Sequence, residues 1–569
     1  MRYALLAVCL AAACAHSTAQ TAPRNVIRVG VWTLWHDKQV AVTPLAGATL
    51  RPCTTCKAQP LAELAVRVKD AGIAWIDRSG HARAATEILL AGRYRLDAHR
   101  EQLTLRYPLR ITAVAGALVL SATMPVERYV ELAVAAESGA ADGPESRKAL
   151  AVVARSFALG PSHGHTAFDV CDSTHCQWVR WRTMPEAYAA TLATAGESLW
   201  FHGSRTGAYF HQNCGGRTAA ASEVWPGRVG NGPLLSRADN YCQRAGSSEW
   251  SATLTHRELT LALAAAGLAA PEWKSLNVVR RGESGRAVTL RVGSAEISAE
   301  NFRLAVGRSL GWNRIRSNWF EVSPQGDEFL FHGRGSGHGV GLCQVGAAEM
   351  ARAGLGYREI LAQYFPGATE AEETTGAAWQ WLSGRGFTLE TSEAADSVYL
   401  PRLAEALAEA RNRSGLSPHA ALTVRAFRST PAFRDATLAP GWVAAFTEGE
   451  LIAAQPLRIL AVRKLLAGVM RHEFLHALVE EQATANAPLW LREGLVEAWS
   501  GDAHRLRKPV LTPEQAGQKL AHAESEAEST AAHEAAGWYA AQLLDRYGRA
   551  QVLEWLRSGV PERALAILL

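Results

Sequence analysis

Two histidines and two glutamates in the last third of the chain have the types and spacing of a hydrolytic metal centre. His472 and His476 lie four residues apart in a run of helical periodicity, so both imidazoles share one face, with Glu473 beside them. Glu493 follows on what reads as a second helix. Two imidazoles and a carboxylate bind zinc and leave a fourth position for a water, which Glu473 would activate as general base. The alternative is a solvated helix on which the histidine pair is incidental.

The segment around Glu493 strengthens the zinc interpretation. Residues 490–494, Trp-Leu-Arg-Glu-Gly, resemble the Trp-Leu-x-Glu-Gly stretch of the peptidase MA-like gluzincins, and the resemblance covers about residues 395–560. It implies Zn²⁺ as cofactor, Glu493 as third ligand, Glu473 as base and a peptide substrate of unknown identity. Three further side chains are candidates for orienting a ligand histidine or stabilising the transition state: Glu497, His533 and Tyr539.

Glu137 is a candidate for acid chemistry of another kind. Apolar residues recur at helical spacing from Val126 to Val134, and the same stripe includes Glu137. Glu127 and Glu131 are expected to point away from it. A carboxyl group on an apolar face is desolvated and its pKa rises, which suits a general acid near neutral pH. The alternative is a glutamate at the helix end that turns to solvent.

A glycine-rich segment, residues 333–341, has glycine at every second position. In an extended chain one face would carry no side chains, and the other would present Arg334, Ser336 and His338. The bare face would allow close approach by a flat ligand or another strand. The pattern lacks the Gly-Lys-Ser/Thr of a phosphate loop. A structural turn with a solvent-exposed His338 is the alternative.

Two imidazoles and two thiols fall within twelve residues, at His165, Cys171, His175 and Cys176. We call them the His/Cys tetrad. These are zinc ligands, although the spacing is not that of a common zinc finger. A disulfide between Cys171 and Cys176 is equally compatible with the spacing, and His163 is an alternative to His165.

Periodicity and turn residues predict the elements that position these candidates. Short strands fill residues 26–120, and helices are predicted at 125–137 and 144–159, each opened by a proline. A further helix is predicted at about 346–364 and ends in Tyr-Phe-Pro-Gly. The last 180 or so residues read as mostly helical.

Composition restricts the class of protein. The chain has 569 residues, of which 48% are hydrophobic and 20% charged, as in globular proteins of two or three domains. The net charge of +5 is spread without a basic block, so a nucleic-acid partner is not expected. Spacing leaves open whether Cys53 and Cys56, or Cys214 and Cys242, are bridged.

The N-terminus reads as a secretory signal. Arg2 precedes an apolar run from Ala4 to Ala13 that is too short to span a bilayer, and small residues allow cleavage after Ala19. Cys14 offers a lipid anchor as the alternative. No later segment is predicted to cross a membrane. We expect an exported protein of the periplasm or cell envelope.

Five sequence blocks in order resemble the SpoIID/LytB family, which comprises stage II sporulation protein D and amidase enhancers. The blocks, which lie within residues 26–368, are MPVERYVELAVAAE, ESRKALAVVARSFAL, FDVCDSTHCQ, YFHQNCGGRTAAASEVW and GRGSGHGVGLCQVGAAEMARAGLGYREILAQYFPGA. The family implies a secreted domain that binds peptidoglycan. Its sporulation members are lytic transglycosylases that cut glycan strands without stem peptides, and others enhance a cell-wall amidase.

The resemblance assigns roles to several residues. The catalytic acid falls on Glu137, and the zinc ligands of some members fall on the His/Cys tetrad, which implies a structural Zn²⁺. Arg155, His338 and Gln344 are expected to contact the glycan. The sequence departs from the family at Leu150, Cys343 and Val345, where Gln, Ser and Tyr are usual, so the detailed shape of the groove differs.

The predicted fold class is α+β, a β-rich SpoIID-like domain with inserted helices followed by a mostly helical zincin-like domain. The predicted boundaries are a signal peptide at 1–19, the peptidoglycan domain at 26–368, a linker at 369–390 and the metallopeptidase-like domain at 391–569. The leading interpretation is an enzyme that cleaves glycan and hydrolyses peptides. Two alternatives are a non-catalytic module that activates an amidase, and a peptidase that the first domain targets to the wall.

Overall fold

A computed structural model describes residues 26–70, 72–77, 80–160, 164–225, 232–246, 248–268, 272–501, 508–523 and 525–566. The described residues divide into two compact units, one within residues 26–376 and the other within residues 377–566. The predicted signal peptide and the possible anchor at Cys14 lie outside the described residues. Among the described residues, no helix is long and apolar enough to cross a bilayer.

The first unit begins with two sheets whose buried side chains share one hydrophobic core. Their strands are β1 (Val26–Val31), β2 (Gln39–Pro44), β3 (Thr49–Arg51), β4 (Gln59–Pro60), β5 (Leu64–Lys69), β6 (Gly72–Asp77), β7 (Ala82–Ala85), β8 (Glu87–Ala91), β9 (Tyr94–Ala98), β10 (Glu101–Leu105), β11 (Leu109–Val114), β12 (Ala117–Pro125) and β13 (Val170–Cys171). The sheet orders are β13-β1-β12-β11-β8-β3-β4 and β10-β9-β2-β5-β6-β7. The predicted β-rich start is confirmed. A disulfide joins Cys53 and Cys56 in the loop between β3 and β4.

Three helices follow the sheets: α1 (Val126–Glu137), α2 (Pro144–Ala158) and α3 (Pro185–Ala193). The bounds of the first two agree with the prediction to within a residue, because proline starts each helix and Ser138 caps the first in extended conformation. Helix α1 is buried on nearly every side, with ten of its twelve residues inside.

Two expectations about these helices are wrong. Glu127 and Glu131, predicted to point away from the core, are both buried, since each pairs with an arginine: Glu127 with Arg155 and Glu131 with Arg128. Arg155, expected to contact glycan, is fully buried. Its Nε donates a hydrogen bond to Oε1 of Glu127 at 2.9 Å, and its Nη2 donates to Oε2 at 2.6 Å. Its role is therefore to hold α2 against α1.

The rest of the first unit contains short strands and helices and an inserted module with a core of its own, formed by Trp250 to Phe331. The elements are β14 (Glu197–Phe201), β15 (Ser204–Arg205), β16 (Phe210–His211), α4 (Ala221–Val224), α5 (Asn240–Arg244), β17 (Glu249–Thr255), α6 (His256–Ala265), β18 (Leu276–Arg281), β19 (Ala287–Val292), β20 (Ala295–Ser298), α7 (Ala299–Leu310), β21 (Phe320–Gln325), β22 (Glu328–Arg334), β23 (Leu342–Cys343), α8 (Gln344–Arg352), α9 (Tyr357–Tyr364) and β24 (Thr369–Glu372). The single helix predicted at 346–364 is two helices, because the chain turns at Gly354 with φ +87°.

The second unit combines a five-stranded sheet with helices. Its elements are β25 (Gln380–Ser383), β26 (Phe387–Thr391), a 3-10 helix (Ala394–Tyr399), α10 (Leu400–Ser414), β27 (Leu422–Ala426), α11 (Thr430–Thr437), β28 (Ala445–Glu448), β29 (Leu451–Ala454), α12 (Leu457–Val462), α13 (Leu466–Gln482), α14 (Leu489–Ser500), α15 (Pro513–His522), α16 (Glu526–Ser558) and α17 (Glu562–Leu565). The sheet order is β25-β26-β27-β29-β28, with β26, β27 and β29 parallel.

Sequence periodicity missed this sheet, because its strands are four or five residues long and lie between stronger helical patterns. The predicted linker at 369–390 holds β24, which pairs with β14 in the first unit, and then β25 and most of β26 in the second. The fold is mixed α/β with a β-rich N-terminal part.

The buried pair between α1 and α2 leads to a prediction on stability. Glu127→Gln should lower the free energy of unfolding by about 3–5 kcal/mol, because it leaves the Arg155 guanidinium buried without its main partner. We expect the lower part of that range, since Glu373 lies 3.8 Å from Arg155 and partly compensates the charge. Urea unfolding measures the change. The matched control is Glu186→Gln, an exposed residue whose substitution should change stability by less than about 0.5 kcal/mol.

Candidate functional site

Glu137 is the last residue of α1 and its carboxyl group is largely enclosed. The backbone N–H of Trp178 donates to Oε1 at 2.8 Å, and the Nε2 of Gln344 donates to the backbone oxygen of Glu137 at 2.9 Å. Burial raises the pKa of Glu137 to about 6, against the opposing effect of the Trp178 hydrogen bond. The structure therefore gives a carboxyl group that changes protonation state close to neutral pH.

The glycine-rich segment is followed three residues later by Gln344, which bonds Glu137. The segment itself is not an extended strand. Strand β22 ends at Arg334, and the four following glycines at alternate positions all have positive φ, between 74° and 94°. The predicted bare face is therefore wrong, because left-handed residues turn the chain instead of alternating its faces. The prediction of close approach holds for packing within the protein: a Cβ at Gly341 would overlap the Tyr209 carbonyl oxygen, and one at Gly337 would lie 2.9 Å from the Cβ of His211.

His338 lies inside this turn and is half-buried. The backbone N–H of Val340 donates to its Nδ1 at 3.1 Å, and the rings of Tyr209 and Trp225 lie 6.3 and 5.1 Å away between centroids. Burial lowers the pKa of His338 to about 4, so the imidazole is neutral at physiological pH. The ring also hydrogen-bonds the backbone of Phe210, so the imidazole holds the turn together rather than pairing with a charge.

The His/Cys tetrad lies next to the loop that carries Trp178. All four ligand atoms lie within 4.8 Å of one another, and both cysteines are free thiols. The Nε2 of His165 is 3.3 Å from the Sγ of Cys176. Tetrahedral zinc holds such donors roughly 3.3–3.8 Å apart, so the set fits the ion, which would fix the loop at Trp178. The alternative ligand His163 lies outside the described residues.

The second unit brings three of the predicted metal ligands together from two helices. Helix α13 supplies His472 and His476, whose Nε2 atoms lie 3.0 Å apart, and α14 supplies Glu493, with Oε2 3.6 Å from the Nε2 of His476. Nitrogen donors on one tetrahedral zinc ion lie roughly 3.3 Å apart, so these spacings suit the ion. Burial would raise the pKa of Glu493, but the nearby His476 and His533 imidazoles lower it to about 2, which keeps the carboxylate ionised.

The ring orientation of His472 is set by a residue that the sequence did not suggest. The hydroxyl of Ser500 donates to the backbone oxygen of Val496 at 2.6 Å, so its oxygen accepts from the Nδ1–H of His472 at 3.1 Å. This leaves the Nε2 lone pair of His472 facing the ligand set, as a metal requires. Glu497, expected to orient a ligand, lies 4.0 Å from the same Nδ1, beyond direct hydrogen bonding.

The predicted base, Glu473, is buried, and the hydroxyl of Thr447 on β28 donates to its Oε2 at 2.7 Å. Burial raises the pKa of Glu473, which makes the carboxylate a stronger base. Of the two further candidates on α16, His533 lies 3.5 Å from the Glu493 carboxylate. Tyr539 instead packs in the core and donates to the backbone oxygen of Leu511, so it does not reach the site.

Two family models match parts of the first unit. Residues 115–201, which include α1 and Glu137, match the family model of SpoIID, Stage II sporulation protein. Residues 234–341, which include the inserted module and the whole glycine-rich segment, match a domain of unknown function, DUF8618. The first of these two matches supports the predicted SpoIID family domain. The peptidase MA-like assignment of about residues 395–560 stays a prediction.

Three relatives are similar to parts of the chain. An uncharacterized protein of Brachyspira hyodysenteriae is 29% identical over 228 residues, which is 39% of this chain and 60% of that protein. Stage II sporulation protein D of Bacillus subtilis is 27% identical over 275 residues, 44% of this chain and 75% of that protein. The Amidase enhancer of Bacillus subtilis is 24% identical over 280 residues, 40% of this chain and 38% of that protein. The chain thus spans less than two thirds of two of these relatives.

The raised pKa of Glu137 predicts a pH-dependent effect on stability. Because the folded pKa of about 6 exceeds the ordinary value of 4.5, this group's stabilising contribution is complete below pH 4.5 and is lost as the pH rises through 6. Glu137→Gln should therefore gain about 2 kcal/mol relative to wild type between pH 4 and pH 7.5. Urea unfolding at both pH values measures this. Glu186→Gln should show no such pH dependence, and the same constancy in Glu137→Gln would contradict an enclosed carboxyl group.

Proposed function

We propose that the first unit acts on bacterial peptidoglycan and cleaves its glycan strands as a lytic transglycosylase. The observation that carries the proposal is the enclosed carboxyl group of Glu137, whose pKa of about 6 suits both proton donation and acceptance near neutral pH. The SpoIID family match and the relatives named for sporulation and amidase enhancement support a role at the cell wall. The same matches favour an exported protein of the cell envelope.

The chemistry needs one group that first gives and then takes a proton. Protonated Glu137 donates to the glycosidic oxygen between N-acetylmuramic acid and N-acetylglucosamine as that bond breaks. The resulting carboxylate takes the proton of the muramoyl 6-hydroxyl, whose oxygen attacks the anomeric carbon and closes a 1,6-anhydro ring. Hydrolysis would instead require a second carboxyl group to activate water.

Neighbouring residues are suited to bind a polysaccharide. The indole of Trp178, whose backbone holds the Glu137 carboxyl group, is 46% exposed and offers an apolar face to a sugar ring. Gln344 bonds the backbone of Glu137 and keeps the helix end in place. The neutral imidazole of His338 lies in the turn that leads to Gln344 and hydrogen-bonds the backbone of Val340 and Phe210, so it supports the turn from within.

Product analysis tests the glycan proposal. Glu137→Gln should bind peptide-stripped glycan strands like wild type but release anhydro-ended fragments about 10²–10⁴-fold more slowly, since it lacks the transferable proton. Mass spectrometry of products from intact and peptide-stripped peptidoglycan measures this, with Glu186→Gln as the matched control. Unchanged cleavage by Glu137→Gln would refute the assignment. If wild type binds but releases no product, and Glu137→Gln still activates a cell-wall amidase, the first unit is a binding module.

For the second unit we propose a zinc-dependent peptidase. The observation that favours it is the ligand set of His472, His476 and Glu493. The hydrogen bond that the Nδ1–H of His472 donates to Ser500 leaves the Nε2 lone pair free for metal. Zinc would lower the pKa of a bound water, and Glu473 would take its proton. The peptide substrate is either a stem peptide of the wall or a protein.

Paired substitutions separate metal binding from catalysis in this unit. His472→Ala should lower the zinc content by one ion per chain, whereas Glu473→Gln should keep the ion and lose hydrolysis about 10²–10⁴-fold. Elemental analysis gives the zinc content, and casein and purified stem peptides serve as substrates. The exposed His522→Ala is the control and should change neither quantity. Zinc content that His472→Ala leaves unchanged would overturn the site.

A further inference from the structure

A second group of metal-ligating side chains lies in the first unit, apart from the His/Cys tetrad. It joins three cysteines and an aspartate that come from three segments of the chain, and all four are at most 1% exposed. Their ligand atoms lie within 4.8 Å of one another. We call this group the thiol cluster: Cys214, Asp239, Cys242 and Cys343.

The local structure aims these four side chains at one point. Asp239 caps α5, where its Oδ1 accepts from the backbone N–H of Cys242 at 2.9 Å. The Sγ of Cys214 lies 3.3 Å from Oδ2 of the same carboxylate. Cys343 ends β23, which pairs with β16 and so runs beside the segment that leads to Cys214.

Neighbouring groups supply the hydrogen bonds that metal-bound thiolates and carboxylates usually receive. The backbone N–H groups of Cys214 and Gly346 donate to the Sγ of Cys343, at 3.2 and 3.4 Å. The hydroxyl of Tyr364 donates to Oδ2 of Asp239 at 2.8 Å.

The charge balance and the size both suit a small divalent cation. Three thiolates and a carboxylate carry four negative charges, of which a zinc ion offsets two. The buried Arg286 guanidinium, which donates to the backbone oxygen of Cys214 at 2.6 Å, partly offsets the remainder. Zinc with bonds of about 2.3 Å to sulfur holds its donors roughly 3.8 Å apart, within the observed limit.

We propose that the thiol cluster binds a structural zinc ion. The ion ties the Cys214 segment, α5 and β23 together beneath the glycine-rich turn. Because Gln344 directly follows Cys343 and bonds the backbone of Glu137, the ion fixes one wall of the candidate glycan site. The metal proposal itself depends on the four ligands and not on glycan cleavage.

Metal analysis of the full chain tests the proposal. A background chain with Cys176→Ser and His472→Ala removes a ligand from each of the other two candidate sites. After dialysis against micromolar zinc and then metal-free buffer, it should retain about one zinc ion per chain. Adding Cys343→Ser or Asp239→Asn should reduce the zinc content at least tenfold. The exposed Asp327→Asn is the matched control and should retain the ion.

A second measurement needs no substitution in the thiol cluster. Cobalt substituted into the background chain should give the intense near-ultraviolet charge-transfer absorption of cobalt thiolates, and zinc should abolish it by displacement. Thiol mapping of freshly purified wild-type chain should find Cys214, Cys242 and Cys343 all reduced. A disulfide between any two of them, or a background chain that retains neither zinc nor cobalt, would overturn the proposal.

Discussion

The candidate glycan site depends on the removal of one carboxyl group from water. Glu137 ends a helix that is buried on nearly all sides, and contacts from two distant segments enclose it, through the backbone of Trp178 and the side chain of Gln344. The desolvation that raises its pKa is therefore a property of the assembled unit. The His/Cys tetrad lies beside the first of these segments, and β23 directly precedes the second. The acid chemistry that we propose therefore depends on both segments.

Periodicity identified Glu137 for a reason that is only partly correct. The apolar stripe on α1 does include Glu137, but the helix has no solvated face, because arginines neutralise Glu127 and Glu131 inside the core. Sequence spacing cannot show that Arg155 lies opposite Glu127, since ion pairs between helices depend on tertiary packing. The expectation that Arg155 contacts the glycan came from the family resemblance, which does not show this packing either.

Patterns among residues close in sequence predicted the structure better than features that depend on contacts between distant segments. Proline-initiated helices and the four-residue spacing of His472 and His476 depend on neighbours within one or two turns, and the structure has both. The short strands of the second unit have no comparable signal, because parallel pairing joins segments far apart in sequence. Thr447 and Ser500 were missed likewise, since a hydroxyl next to an imidazole or carboxylate is visible only once strands and helices pack.

The cysteines also show that residues close in sequence can be grouped before the fold is known, whereas distant residues cannot. Cys171 and Cys176 lie close in sequence, so their spacing suggested metal or disulfide before any fold was known. Cys343 is separated from Cys214 by the whole inserted module, and the two meet where β16 and β23 pair. In this sequence Cys343 was notable only as a departure from the serine usual in the SpoIID/LytB pattern. Cys343 lies in a buried set of three thiols and a carboxylate. The zinc site that we propose would give that departure a physical reason, because a serine hydroxyl is a poor replacement for a soft thiolate ligand.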